Sequence, residues 1–366
     1  MKRYGHLYEK IYDMENLKLA HQHAKKGKGW YAEVQMIDSD PDKYLKELQD
    51  MLINKTYHTS EYEVFYKNEH GKTRKIYKLP YFPDRVAQWA ILQVIEPYLI
   101  KHIISDTFSA IPDRGIHKGL SRVKKAVQHD VPNCQYCLKI DARHYYQSVN
   151  HDILKQKYRK MFKDNDLLWI LDEIIDSNTN TDIPIRNFVT DPITGELVAT
   201  SLNGVPIGNY LSQYFANLFL AYFDHWLKEE KRVKYYWRYD DDIVILAADK
   251  ESLHALLRDI REYMRGLQLK VKRNHQVFPV DARGIDFLGF VFYHTHTLLR
   301  KSIKQNLCRR VAKLNKRKKT PTKAAYKQAI CSWWGWCKYS DSIHFFNKLS
   351  NSFPYEIKFA RTTRPL

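Results

Sequence analysis

The chain has 366 residues, with 60 Lys and Arg against 41 Asp and Glu, a net charge of +19. That length allows two or three subdomains around a sizeable core, and the charge points to a polyanionic partner. Five cysteines make no disulfide framework in a chain this long, no signal peptide opens it and no apolar run approaches a membrane span, so a reduced, cytoplasmic protein with no membrane partner is expected.

Taken in order, residues 1–60 read as helical. One amphipathic stretch carries Leu17, Leu19 and Ala20 and stops at a basic, glycine-marked AKKGKG. A second, 42–52, carries Tyr44, Leu45, Leu48, Met51 and Leu52 at helical spacing, which calls for packing and no chemistry. Two strands are expected at 61–66 and from Lys72, joined at 68–71, followed by a proline break and a long helix from Asp84. Lys72, Arg74 and Lys75 are either surface charge or a clamp on a triphosphate, which suits exposed Lys and Arg donors. A loop with Arg114 and Gly115 then leads into a helix at about His117, a place for phosphate contact or a plain surface loop. Cys134 and Cys137 form a lone CxxC without a second ligand pair, so buried thiols are expected rather than zinc.

Residues 136–140 form a short apolar strand ending at Asp141, with a helix start near Asn150. Residues 164–178 read as a helix, and DPITGELVATS as a β-hairpin around Thr194 and Gly195. Gly204, Pro206 and Gly208 prevent a regular element at first, after which Leu211, Phe215, Leu218, Phe219 and Tyr222 take up a helical period. In VKYYWRYDDDIVILAAD, residues 233–249, two apolar runs flank Asp240, Asp241 and Asp242, which reads as strand, tight turn, strand. Three adjacent carboxylates repel, so either solvent screens them or a cation sits among them. Flanks this apolar favour the cation, and Asp141, an acid at another strand end, supplies the missing ligand.

Further on, alternation at Leu267, Leu269 and Val271 suggests a strand, and a second strand follows Gly284. Residues 304–319, 323–339 and those beyond 343 read as helices, and KLNKRKKTPTK as a cationic linker. Residues 301–366 hold 16 Lys and Arg against two acids, +14 of the +19, which suits a lobe that grips phosphates through Lys316, Arg317, Lys318 and Lys319. Trp333, Trp334 and Trp336 are expected to pack that lobe.

These motifs, in this order, resemble the reverse transcriptases. Tyr239-Asp240-Asp241-Asp242 is similar to their YxDD box, and Asp141 with Tyr145 and Tyr146 to their first palm motif. LPYFPDRVAQ resembles the start of the fingers helix, and Arg114, Gly115 and His117 the second fingers motif. The segment IGNYLSQ departs from the common QGxxxSP box: Ile207 stands in place of Gln, and Gln213 in place of Pro after Ser212. With MKRYG, LYEKI and SWWGWCKYSDS, that form is similar to the diversity-generating retroelement enzymes, relatives of the group II intron, retron and defence-associated reverse transcriptases.

The resemblance implies an α+β right-hand polymerase: an N-terminal helical extension at 1–60, fingers at 61–135 with 155–210 contributing, a palm with an antiparallel sheet at 136–300, and a basic helical thumb at 301–366. It implies an RNA-directed DNA polymerase using two Mg²⁺ ions, with Mn²⁺ as a substitute, held by Asp141, Asp241 and Asp242, while Asp240 is not a ligand. Lys72, Arg74, Lys75, Tyr146 as the gate against a ribose 2′-hydroxyl, Ile207, Gly208, Gln213 and Lys272 would face the nucleotide. Arg114, the 287–290 primer grip with Phe287 and Gly289, and Lys316 to Lys319 would face nucleic acid. Implied partners are dNTPs, a template RNA with a primer/cDNA duplex, a small accessory protein and a structured non-coding RNA. A metal-dependent nuclease would not need the triphosphate strand or an aromatic gate, and an RNA-binding protein would not need three convergent acids. A defence-associated enzyme with its own RNA, or without a template, is the alternative within the family.

Overall fold

The computed structural model describes residues 3–69, 72–177, 188–190, 197–199 and 202–359. In chain order they form α1 (Tyr8–Ile11), α2 (Met14–Ala24), α3 (Ala32–Ser39), α4 (Pro41–Ile53), β1 (Glu63–Glu69), β2 (Lys72–Lys78), α5 (Val86–His102) and α6 (Ile116–His129). Then come β3 (Tyr136–Asp141), α7 (Tyr145–Ser148), α8 (His151–Met161), α9 (Asn165–Asp176), β4 (Phe188–Thr190), β5 (Leu197–Ala199), α10 (Tyr210–His225), β6 (Tyr235–Tyr239), β7 (Asp242–Ala247) and α11 (Lys250–Gly266). The rest are β8 (Gln276–Pro279), α12 (Val280–Arg283), β9 (Ile285–Phe287), β10 (Phe290–Phe292), β11 (Thr297–Leu299), α13 (Lys301–Asn315), α14 (Lys323–Lys338) and α15 (Ile343–Ser350). This is an α+β fold whose sheets are antiparallel.

Many helices start where a short polar side chain can take an orphan amide. Asp13, Asp40, Asn150, Asp164 and Thr322 accept backbone N–H groups at the heads of α2, α4, α8, α9 and α14. No helix is long and apolar enough to cross a membrane among the described residues.

Two compact units divide the chain. One comprises Met1–Ile104, Ala142–Trp226 and Glu262–Lys270, the other Ser105–Asp141, Leu227–Arg261 and Val271–Leu366. The residues expected to form the palm, 136–300, are therefore shared between them. In the first unit α5 is apolar almost all round and buries Val86, Ala90, Ile91, Leu92, Ile95 and Leu99, and α2 and α10 pack against it. Asp164 also accepts the amides of Leu7 and Tyr8 at 2.7 and 3.0 Å, which fixes the N-terminal segment beside α9. The β4–β5 pairing agrees with the expected hairpin, whose tip at Thr194 and Gly195 lies outside the described residues.

In the second unit a four-stranded sheet has the order β6-β7-β3-β8, and a three-stranded sheet the order β11-β10-β9. One core joins them: Leu120, Val123 and Val127 of α6, Cys137, Val244 and Phe278 of the larger sheet, Phe287, Phe290 and Phe292 of the smaller, and Leu307, Val311, Tyr326, Ile330 and Phe346 of the basic helices. Trp333, Trp334 and Trp336 pack against it half-buried. Cys134 and Cys137 are buried thiols whose ionisation burial opposes, Cys134 pushed up to about 12.

Two elements differ from the sequence reading. Most of the strand expected at 267–271 is the turn that caps α11, and only Val271 makes a β-bridge: the amides of Leu267 and Leu269 donate to the Met264 carbonyl and Gln268 turns left-handed at φ 59°, so a helix cap produces the alternation. The helix expected through residue 319 ends at Asn315, leaving Lys316 to Lys319 as an exposed linker.

Candidate active site

The acids come together in the second unit because of sheet register. Asp141 ends β3 directly opposite Asp242 on β7, so their side chains leave the same face of the sheet. Tyr239 pairs with Asp242, leaving Asp240 and Asp241 as a two-residue turn. Asp240 is left-handed at φ 60°, a conformation that Asp tolerates because its short side chain can bond locally. Its carbonyl accepts from Arg238 Nη1 at 3.0 Å, and Arg238 is fully buried.

Two ammonium groups stand among these carboxylates. Lys272 Nζ is 2.6 Å from Asp141 Oδ1, and the Lys272 amide donates to the Asp141 carbonyl at 2.9 Å. Lys139 Nζ lies 3.4 Å from Asp242 Oδ2. Asp242 Oδ1 is nevertheless buried without a hydrogen-bond donor among the described residues. Asp241 holds its proton far above the ordinary carboxylate range, first because it is desolvated, then because Asp141 shares a hydrogen bond and repels it and Asp240 repels it, with Lys272 opposing. Asp242 shifts the same way through burial, with Lys139 opposing.

Carboxylates this crowded favour added positive charge, and an orphaned carboxylate oxygen such as Asp242 Oδ1 is the kind of hard donor a divalent cation takes. No three His, Cys, Asp or Glu side chains form a ready metal cage among the described residues. The donor set fits Mg²⁺ all the same, since that ion is commonly held by one or two carboxylates and completed by water and phosphate oxygens.

The expected nucleotide residues divide between the units. Lys272 is in the second, beside Asp141. In the first unit the Tyr146 carbonyl accepts from the Val205 amide at 2.8 Å, and the Ile207 carbonyl from the Tyr77 amide at 2.9 Å, so the half-buried Tyr146 and Ile207 are tied to one loop and that loop to the end of β2. Gly208 sits at φ 126°, where a Cβ would lie 2.4 Å from the Tyr77 carbonyl oxygen; only glycine lets the loop approach β2 this closely. Gln213 is exposed on the first turn of α10. Lys72, Arg74 and Lys75 all lie on β2, where alternation sends Arg74 and Lys75 to opposite faces. Lys75 stands over the Tyr77 ring at 5.4 Å.

Among the expected nucleic-acid residues, Arg114 is half-exposed just ahead of α6, and Lys316 to Lys319 are exposed. Phe287 is fully buried, paired with Phe290 in the core, so its side chain has no surface for nucleic acid, and the hairpin can offer only its turn and backbone. Gly289, expected to admit a nucleic-acid backbone, instead makes room for protein: a Cβ there would meet Trp336 Cζ3 at 2.6 Å and Ile303 Cδ1 at 3.0 Å. Lys139, Arg238 and Arg300 were not singled out by the sequence reading. Their signal was a basic residue within or beside an otherwise apolar strand, YCLKID, YYWRY and TLLR.

The reverse transcriptase (RNA-dependent DNA polymerase) family matches residues 65–292, more than half of the chain. Protein YkfC of Escherichia coli (strain K12) is 23% identical over 292 residues, covering 70% of this chain and 71% of YkfC. Among solved structures, Candida albicans telomerase in complex with a TWJ fragment of telomeric RNA superposes with a TM-score of 0.49 and 13% identity, over 84% of this chain and 64% of that one. Apo telomerase from Candida tropicalis gives 0.48 and 12%, over 85% and 64%. The chain thus spans 64% of the length of either telomerase. With the family match running from β1 through β10 and enclosing Asp141, Asp241 and Asp242, the chain belongs to the reverse transcriptase family of RNA-directed DNA polymerases.

Proposed function

We propose that the chain copies a template RNA by two-metal nucleotidyl transfer, with Asp141 and Asp241 as principal ligands of two Mg²⁺ ions and Asp242 as a weaker one. The observation that carries this is the meeting of Asp141, Asp241 and Asp242 at strand ends, with Asp242 Oδ1 lacking a donor among the described residues and Asp241 and Asp242 reluctant to ionise. Two divalent ions bound there would supply acidity to the primer 3′-hydroxyl and neutralise phosphate charge at the in-line transition state. Asp240 serves the turn, and Lys272 holds Asp141 in place. Tyr146 gates the sugar. The deciding assay is extension of a DNA primer on RNA with Mg²⁺ and dNTPs: Asp141→Ala and Asp241→Ala should abolish synthesis and Asp240→Ala should retain much of it, whereas wild-type rates in Asp241→Ala would remove the metal assignment.

Within the family the reading is an error-prone cytoplasmic enzyme of the diversity-generating type, acting on a dedicated template RNA with a small accessory protein. Ile207 supports it. A Gln there can hydrogen-bond near the nascent pair, whereas Ile offers only shape, a difference worth roughly 1 to 3 kcal/mol of discrimination. Single-nucleotide incorporation opposite each template base should show errors concentrated at adenine and reduced by Ile207→Gln. Equally high fidelity in both proteins would refute the error-prone reading.

A further inference from the structure

Lys139 occupies an unusual place. It lies mid-strand in β3, paired with Val244 of β7 on one side and Gln276 of β8 on the other, between the buried Leu138 and Ile140. Its side chain is only 24% exposed. Strand alternation puts it on the face that carries Cys137 and Asp141, and therefore on the face of Asp242, opposite Asp141. Asp242 is its diagonal neighbour across the β3–β7 pair, a separation that a lysine can span.

The ammonium makes two contacts that lead to different sheets. One is the ion pair to Asp242 Oδ2 at 3.4 Å. The other is a hydrogen bond to the backbone carbonyl of Asp286 on β9, the first strand of the 287–290 hairpin. Beyond that carbonyl the hairpin is braced again: the Asp286 carboxylate accepts from Arg300 Nε at 2.6 Å, and the Arg300 amide donates to the Gly289 carbonyl at 3.0 Å. An unbroken polar chain thus runs from the Asp242 carboxylate through Lys139 to the hairpin tip. Because Lys139 takes Oδ2, Asp242 is left with Oδ1 as its uncommitted oxygen.

We propose that Lys139 is a positioning residue that holds the Asp242 carboxylate and the 287–290 hairpin in one register, so that a primer end carried by the hairpin meets the metal-binding carboxylates at a fixed place. The inference rests on the polymerase reading above and on the hairpin as the primer's support. Lys139 touches neither nucleotide nor primer in this role. Its loss therefore costs alignment of the 3′-hydroxyl rather than nucleotide affinity.

Primer extension with the full-length chain, an annealed RNA template and DNA primer, and Mg²⁺ tests this. Lys139→Met should lower kcat by about 10- to 100-fold, the loss a misplacement near 1 Å produces, while KM for dNTP stays within about threefold. Lys139→Arg, which can reach the same two acceptors, should recover most of kcat. In an Asp242→Asn background, where the ion pair is already gone, Lys139→Met should cost less than about threefold more. Far-UV circular dichroism checks folding, and should Lys139→Met not fold, Lys139→Gln against Lys139→Arg makes the same comparison of a neutral with a charged side chain. Wild-type kcat in the neutral variant, equal loss in both variants, or a full multiplicative loss in the Asp242→Asn background overturns the proposal. A wild-type protein that makes no DNA overturns the polymerase reading itself, and this inference with it.

Discussion

Replacing Gly289 by alanine should destabilise the second unit, for two separable reasons. The residue sits at φ 84°, and a side chain in left-handed backbone costs about 1 to 2 kcal/mol. The added Cβ would also lie 2.6 Å from Trp336 Cζ3, 2.9 Å from Cη2 and 3.0 Å from Ile303 Cδ1, and forcing extra volume into packed side chains costs about 1 to 3 kcal/mol. Neither neighbour yields cheaply, because the indole packs on Phe290 at 5.2 Å between centroids and Ile303 belongs to α13, so the sum is about 2 to 5 kcal/mol. Urea unfolding followed by circular dichroism reads it, and Trp336→Leu divides it. Leucine lacks the two ring atoms that collide most closely, so in the double variant the backbone part and the milder Ile303 contact should remain, giving a favourable coupling of about 1 to 2 kcal/mol. Additive costs, within about 0.5 kcal/mol, would show that the indole is not what Gly289 accommodates.

Three further outcomes follow from the site and its surroundings. Asp241 keeps its proton to higher pH in the folded chain than in the unfolded one, so it destabilises the apo fold increasingly as pH rises through that window; Asp241→Asn should melt higher than wild type at pH 8, by on the order of 1 kcal/mol after solvent screening, but not at pH 4, and Mg²⁺ should stabilise only the wild type. A pH-independent difference would refute the crowding of charge. Tyr146→Ala should reduce discrimination between dNTP and rNTP by about tenfold or more with the metal dependence unchanged, and unaltered discrimination would remove Tyr146 as the gate. Neutralising Lys316, Arg317, Lys318 and Lys319 together, all exposed, should flatten the slope of log affinity against log salt by about 0.7 to 0.9 for each phosphate that the linker no longer neutralises, whereas an unchanged slope would leave them a solvated linker.

The acids could be found from sequence because each sits where local pattern is strongest. Apolar β-branched and aromatic runs bound the 240–242 turn, and an apolar strand ends at Asp141, so strand, turn and polarity coincide. The sheet register that makes Asp141 face Asp242 is non-local, and no pattern in either strand encodes it. The strand expected at 267–271 shows the opposite case, a helix cap whose alternating Leu267, Gln268 and Leu269 satisfy a period of two outside any strand, with pairing confined to the single bridge at Val271. The hairpin around Phe287 and Gly289 is legible in the sequence, but which way an aromatic points and what fills the space beside a glycine depend on α13 and α14, which follow later in the chain.

Lys139 stayed hidden because a single lysine in a strand usually snorkels to solvent, and its partner Asp242 comes about a hundred residues later. Once register is known, the charges of the site sort themselves. Lys272 stands at Asp141 and Lys139 at Asp242, while Lys272 acts on Asp241 only through its field, and Asp241 is the acid that resists ionisation far beyond the ordinary range. Under the two-metal proposal, Asp241 is therefore the carboxylate whose ionisation a bound metal would shift most, and the one at which a neutral substitution should separate stability from activity most cleanly.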